Sequence, residues 1–270
     1  MTRAHLSFFL LLLVFTAGFR PALAQRSVED RITDRLVDRG FESVHVASVD
    51  GRLEVEFENR VFRYDVTAMQ EAAEIVFSTT GAPDGLTLVP LRRGVRLASV
   101  RLNREGYLSL RRETAEPDEA PSIISARTDV PVRTYERGLS EIFSGGRNSS
   151  SFKLDVAVHP QLVAQFGSFS DAVRSQINLV PAASINLWYG MQLYGEVIVP
   201  VQNDLDEADD EVRPGIISAN QTLRLPGGVF VSASAGAFTR DRYGFDFEVL
   251  SSFIDGRIDV LGRIGRTGYA

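Results

Sequence analysis

From Phe152 to Phe166 every second position is apolar, through Leu154, Val156, Val158, Pro160, Leu162 and Ala164, while Lys153, Asp155, His159, Gln161 and Gln165 fall between them. Side chains on a strand point to opposite faces in turn, so this segment has one greasy face and one wet face. Strands of soluble proteins are usually about five or six residues long. A longer one, repeated, constrains the chain to a sheet with a different solvent on each side. Six further stretches repeat the pattern, around Gln176 to Leu179, Ile185 to Val199, Ile217 to Leu225, Val229 to Ala237, Tyr243 to Phe253 and Ile258 to Ile264. In the sixth of the seven, Tyr243, Phe245, Phe247 and Val249 oppose Asp246 and Glu248. Aromatics outward and carboxylates inward suit a barrel with a wet interior in lipid.

The start of the chain agrees with such a destination. Arg3 and His5 precede a run from Leu6 to Phe15 that is apolar apart from Ser7, and Ala22-Leu23-Ala24 offers small residues to a signal peptidase. Residues 1–24 are expected to be a signal peptide, cut between Ala24 and Gln25. The apolar core is about half of the roughly 20 residues a membrane helix needs. Cysteine is absent, which excludes a cysteine-linked lipid anchor, disulfides, thiol nucleophiles and thiolate metal sites. Removing Arg3 and Arg20 takes the formal charge from −6 to −8, a balance that argues against nucleic acid as a partner.

Residues 25–112 read as a small α/β domain. Ser27 is placed to cap a helix with Val28, Ile32 and Leu36 on one face, and Gly40 to end it. Asp50-Gly51 is a hairpin signal, followed by Leu53, Val55 and Phe57 alternating with three glutamates. A third strand through Val61, Phe62 and Tyr64 would make a meander. Thr67 with Gln70 forms a capping box for a second helix, and Leu86 to Leu91, Val95 to Leu102 and Tyr107 to Leu110 are expected to be short strands. Residues 113–150, rich in proline, glycine, serine and charge, read as a linker, with a weak helical signal at Leu139 to Phe143. Residues 151–270 are the antiparallel portion. The fold class is thus mixed: a small α/β domain, then long antiparallel strands of a partial outer-membrane β-barrel.

Turn lengths can be set against that topology. With the first strand running outward, the periplasmic turns are Pro181 to Ser184, Pro226 to Gly228 and Ile254 to Gly256, all short. The outer connections are Ser168 to Val173, Gln202 to Pro214 and Thr239 to Arg242, the second long and acidic. Short turns on one side and longer loops on the other is the asymmetry of outer-membrane barrels. Seven strands do not make the even number of eight or more that bacterial barrels have. The expectation is a front portion of a longer protein, or a barrel shared between chains in an oligomer.

Chemistry-bearing patterns are sparse. His45 and His159 lie in separate strands, neither beside a nucleophile signature, and no zinc spacing, phosphate loop or dinucleotide fingerprint occurs. No catalytic residue, metal ligand or cofactor is assigned. The loop with Asp204, Asp206, Glu207, Asp209, Asp210 and Glu211 could attract calcium but lacks the helix-loop-helix spacing, so it reads as a solvated loop. Contacts with a cargo are expected from the inner face: Asp155, Glu196, Arg224, Asp246, Glu248, Arg257, Asp259 and Arg263, with Trp188 and Tyr194 to stack on sugar rings. The alternative is that these charges pair with one another and fill the interior.

Two sets of residues carry a resemblance. Gly40-Phe41-Glu42-Ser43-Val44 and Phe57-Glu58-Asn59-Arg60-Val61-Phe62-Arg63-Tyr64 in the first part, with Arg213-Pro214-Gly215, Leu225-Pro226 and Phe238-Thr239-Arg240-Asp241-Arg242-Tyr243-Gly244 in the second, are similar to the YjbH-type exopolysaccharide proteins. The resemblance implies an outer-membrane β-barrel with a periplasmic domain, exopolysaccharide as the cargo class, and its secretion machinery and membrane lipid as partners. Members are usually much longer than this chain. The expected role is non-enzymatic assembly or export of exopolysaccharide. Two alternatives stand beside it: a secreted or periplasmic carbohydrate-binding β-sandwich, and a polysaccharide-cleaving enzyme, for which no carboxylate pair stands out.

Overall fold

The computed structural model describes residues 27–112, 124–128, 130, 146–167, 173–205, 210–239, 242–254 and 256–269. The expected signal peptide with Ala22, Ala24 and Gln25, the weak helix at 139–143, and most of the expected linker lie outside them.

The first unit opens with helix α1 (Val28–Asp38), whose Ser27 cap accepts a hydrogen bond from the Asp30 N–H at 3.0 Å. Glu29 and Asp30 sit in its first turn and Arg35 in its last, each matched to the helix dipole. Gly40, at φ +97, turns the chain into β1 (Glu42–Val49). Asp50 (φ 50) and Gly51 (φ 75) then make the tight turn to β2 (Arg52–Glu58).

The meander expected next is not formed. Asn59 Oδ1 accepts from the Phe62 N–H at 2.9 Å while Nδ2 donates to the Phe62 carbonyl and to Asp65. This local turn consumes the polar groups a strand through Val61 and Tyr64 would have offered a neighbour. Helix α2 (Asp65–Ser78) therefore starts two residues before Thr67, and β3 (Gly85–Arg92) returns parallel to β2, from Leu53 beside Leu86 to Glu58 beside Leu91. The unit is a β-α-β crossover, not a run of hairpins.

The segment expected as one strand from Val95 to Leu102 divides into β4 (Val95–Arg96) and β5 (Ser99–Asn103). Tyr107 to Leu110, expected as a strand, belongs to helix α3 (Arg104–Arg111). Asn103 Oδ1 accepts from the Gly106 N–H at 2.7 Å, and that cap commits the following turn to helix. Strand β6 (Ser125–Arg127), inside the expected linker, pairs with β5, giving a sheet ordered β1-β2-β3-β5-β6 with β4 on β3. Helices α1 and α2 pack on one side, where Ile32, Leu36, Phe41, Val55, Phe57 and Leu88 form the core. Truncating a fully buried ring such as Phe57 to alanine would cost about 3–5 kcal/mol. The opposite side is buried too, for Glu56 and Glu58 are almost inaccessible.

What covers them belongs to the second unit: β7 (Leu154–Phe166), β8 (Val173–Asn186), β9 (Met191–Asn203), β10 (Arg213–Leu225), β11 (Val229–Thr239), β12 (Arg242–Phe253) and β13 (Ile258–Tyr269). They form one antiparallel sheet in sequence order. Its edges, β7 and β13, do not pair with each other, so the sheet is not a closed barrel.

Two connections differ from expectation. Pro181 to Ser184 is not a turn: β8 runs straight through it, with Pro181 opposite Val158 and the β8–β9 ladder resuming at Ala182 beside Glu196. The turn lies at residues 187–190, where Gly190 (φ +72) passes so close to β10 that a Cβ there would stand 1.8 Å from the Thr222 carbonyl oxygen. The β11–β12 connection comprises residues 240–241 alone and is shorter than the turns at the other end, unlike the connections at 167–172 and 204–212.

Candidate functional site

The register separates the second sheet into two faces. Leu154 lies beside Ile185, Val156 beside Ala183, and Ala233 beside Phe247, itself next to Ile264. These side chains point away from the first unit into open space: Leu162 is 70% exposed and Phe166 73%. On the other face Asn178 donates to Gln161 at 3.0 Å, and Asn220 Nδ2 donates to the hydroxyls of Ser232 and Ser234 at 2.9 and 2.8 Å. Thr222 adds a hydrogen bond to Asn220 Oδ1. The inner face is thus a row of amides and hydroxyls crossing β10 and β11.

The first unit is seated at the end of the sheet that carries the turns 187–190, 226–228 and 254–257. Thr128 lies beside Gly228 and Gly256, and the Gly190 N–H donates to the Arg93 carbonyl at 2.7 Å. Arg224, 4% exposed, reaches from β10 to donate to the carbonyls of Arg96, Leu97 and Thr128, with its guanidinium 4.9 Å from the centre of the Phe230 ring. Arg93 donates to Asn220 Oδ1 at 2.6 Å. Near the start of β7, Lys153 pairs with Glu42 at 2.9 Å and Asp155 with Arg60.

The β3–β4 turn is held from beneath. Arg93 (φ 54) and Gly94 (φ 77) are both left-handed, and their N–H groups point at the buried Glu58 carboxylate, which also accepts from the Ser150 hydroxyl at 2.7 Å. Arg93 in that conformation is strained, and the carboxylate compensates. Burial, and then the adjacent Arg92, push the Arg93 pKa down. On the far side of this unit, Tyr107 donates to Glu74 at 2.7 Å. That hydrogen bond, with Arg111 alongside, lowers the Glu74 pKa, while burial and Glu74 push Tyr107 up to about 12.

The structure divides the expected cargo contacts. Asp155, Tyr194, Glu196, Arg224, Asp246, Glu248, Asp259 and Arg263 lie on strands at inner-face positions. Several are held by neighbours. Glu196 accepts from the Tyr194 hydroxyl and from the Ile216 N–H at 3.1 Å, filling the bulge where Gly215 leaves room for it. Asp246 pairs with Arg263 at 2.7 Å, and Asp259 accepts from Ser252. Arg224 and Asp155 serve the seat of the first unit.

Trp188 and Arg257 are not on the inner face. Each stands in a turn, and Trp188 Nε1 donates to Gln221, an outward-facing residue opposite Met191. Alternation counted straight across a turn assigns a face that the turn itself cancels. The residues that sequence reasoning missed are Arg92 and Arg93 of the β3–β4 turn and the inner-face Asn220, Thr222 and Ser232, which together line a cavity of about 300 Å³ between the units. The doubled arginine before Gly94 was the available signal. Of the acidic loop, Asp204, Asp210 and Glu211 are described, and Arg174 donates to the Asp204 carbonyl at 2.8 Å; Asp206, Glu207 and Asp209 lie outside the described residues.

A family model described as exopolysaccharide biosynthesis protein YbjH matches residues 17–226, well over half of the chain and part of both units. No curated protein and no solved structure matches.

Proposed function

The chain belongs to the YjbH family of exopolysaccharide biosynthesis proteins, and on that premise we propose that it is an outer-membrane protein acting without enzymatic chemistry in exopolysaccharide assembly or export. The observation that carries the proposal is the outward face of the second sheet. It is predominantly apolar along seven strands, interrupted by Gln221, Ser251 and Arg266, and has no covering layer among the described residues. Soluble proteins rarely expose continuous apolar patches beyond a few hundred Å². Strands of 11 to 14 residues rise about 3.4 Å per residue, so tilted by about 45° they span the roughly 25 Å apolar band of an outer-membrane barrel. A sandwich would bury that face beneath a second sheet, which makes the carbohydrate-binding sandwich the weaker reading.

The seat of the first unit supports an orientation. It lies at the end with the turns 187–190, 226–228 and 254–257, the end that is periplasmic in such barrels. The residues around Asp204 and Glu211 then face outward. Glu196 and Asp246 are held by a backbone bulge and by Arg263, which supports a binding or conducting face more than a hydrolytic pair.

The test is membrane insertion of the full chain. Expected results are recovery with the outer membrane, resistance to extraction by carbonate, and a different gel mobility before and after boiling. Extraction into buffer without detergent, with one mobility throughout, would overturn the proposal.

A further inference from the structure

The cleft between the units carries positive charge that the fold leaves without acidic partners. The Arg92 side chain is exposed and has no hydrogen-bond or ion-pair partner among the described residues. Arg93 bonds the neutral Asn220, and the Arg63 guanidinium rests over the Tyr64 ring. Two carboxylates border the cleft, but both are engaged: Glu58 by Ser150 and the β3–β4 turn, Asp65 by Asn59. Burial first, and then repulsion from Arg92 and Arg60, push the Arg93 pKa down against the opposing pull of Glu58.

The space is suited to more than a bare ion. The cavity of about 300 Å³ adjoins a second of about 230 Å³, and Arg92 and Leu97 line both. The first is at the lower end of the range for ligand clefts, roughly 300–1,000 Å³. Val95 and Leu97 of the first unit supply apolar surface on one side; on the other, the second sheet presents the row of Asn220, Thr222 and Ser232 with the Phe230 ring beside it. Sugar rings have this division, with C–H groups on their faces and hydroxyls on their rims.

We propose that the cleft binds a carboxylate-bearing sugar of an acidic polysaccharide, with Arg92 and Arg93 taking the carboxylate, the Thr222 and Ser232 hydroxyls accepting from the ring hydroxyls, and Asn220 holding Arg93, Thr222 and Ser232 in position. Arginine suits that task because its planar fork meets a carboxylate through two parallel hydrogen bonds. The inference rests on the exopolysaccharide reading and names the chemical class. Nothing in it requires a bond to be made or broken.

The experiment titrates the full chain, in detergent, with tetragalacturonate, and follows both heat and the fluorescence of Trp188, the single tryptophan, whose turn touches Arg93 through Gly190. Saturable binding is expected, weakened about tenfold by Arg92→Ala and by Asn220→Ala, and by added salt. Arg101→Ala, an exposed change on β5 away from the cleft, should stay within about twofold of the parent. Equal binding of neutral maltotetraose would overturn the acidic class, and inorganic phosphate competing as tightly as tetragalacturonate would overturn the saccharide. Binding by Arg92→Ala as tight as the parent's, or no binding at all, would overturn the site. The mobility shift on boiling is indifferent to all of these, so failure here is separable from failure of the membrane proposal.

Discussion

Removing Arg224 should unseat the first unit without unfolding it. Three carbonyl oxygens, of Arg96, Leu97 and Thr128, accept from this one buried guanidinium. Hydrogen bonds to charged groups contribute about 1.5–3 kcal/mol each, but they share one side chain, and truncating a buried hydrogen-bonded charge typically costs about 2–5 kcal/mol. Arg224→Ala also strips the contact with the Phe230 ring, so the upper part of that range, about 3–5 kcal/mol, is expected. Hydrogen exchange read by mass spectrometry reports it directly. The Leu97 amide, bonded to the Pro90 carbonyl at 3.0 Å, should lose protection by about 10²–10⁴-fold, while amides around Ile32, Leu36 and Phe41 keep theirs because that core closes within the first unit. Arg224→Lys should fall between, since one ammonium reaches fewer of the carbonyls than the fork. Arg224→Met keeps much of the stem and removes the donors. If Arg224→Met protects Leu97 as the parent does, stem packing and not hydrogen bonding holds the units together, and the reasoning fails.

Phe247→Arg, on the outward face in mid-strand, should cost about 2–4 kcal/mol of stability in lipid, whereas His159→Arg on the inner face should cost less than about 1 kcal/mol; urea titration in liposomes distinguishes them, and equal costs would count against a lipid-facing surface. Gly190→Ala combines a left-handed backbone with a clash against Thr222 and should destabilise by about 2–3 kcal/mol, while Gly227→Ala, equally left-handed but with open space around it, should cost only about 1–2 kcal/mol; thermal melts of both variants measure the difference. Tyr107, pushed up to about 12 against an ordinary value of 10, contributes stability that is complete below pH 10 and is lost between pH 10 and 12. Glu74, held low, contributes above the usual carboxylate range and loses its part as pH falls through its own lowered pKa. Tyr107→Phe should flatten the alkaline limb of a stability-against-pH curve, and an unchanged limb would refute the assignment.

The long strands were legible because their period is backbone geometry: Leu154 to Phe166 face as the alternation demands, and seven strands were expected and found. Strand ends were harder. Pro181 looks like a breaker, yet a proline costs a sheet only one N–H, and the β8–β9 ladder passes over it; Gly190 marks the turn because of β10, a neighbour distant in sequence. Asn59 and Asn103 decided between strand and helix through single side-chain hydrogen bonds that the apolar pattern around them does not reveal. The cleft was illegible for the same reason as the turn. Arg92 and Arg93 meet Asn220 only because the first unit sits on the second. Glu54, Glu56 and Glu58 alternate with Leu53, Val55 and Phe57, yet Glu56 and Glu58 are buried and Glu54 half-buried, because Arg96 pairs with Glu54 and Glu56 and the second unit packs on that side.

The order of strands in the second sheet bears on how the chain gets there. Each strand from β7 to β13 pairs only with its neighbours in sequence, so every pairing closes a short loop and carries a small entropic cost. The first unit, tied to the opening residues of β7 through Lys153 and Asp155, gives this growth a fixed starting post. Folding can then advance as a zipper, one strand at a time away from the post. At every step the newest strand is an unpaired template with an apolar flank. A chain assembled this way is most exposed to wrong partners while it grows, and chaperone protection would matter most at that moving edge.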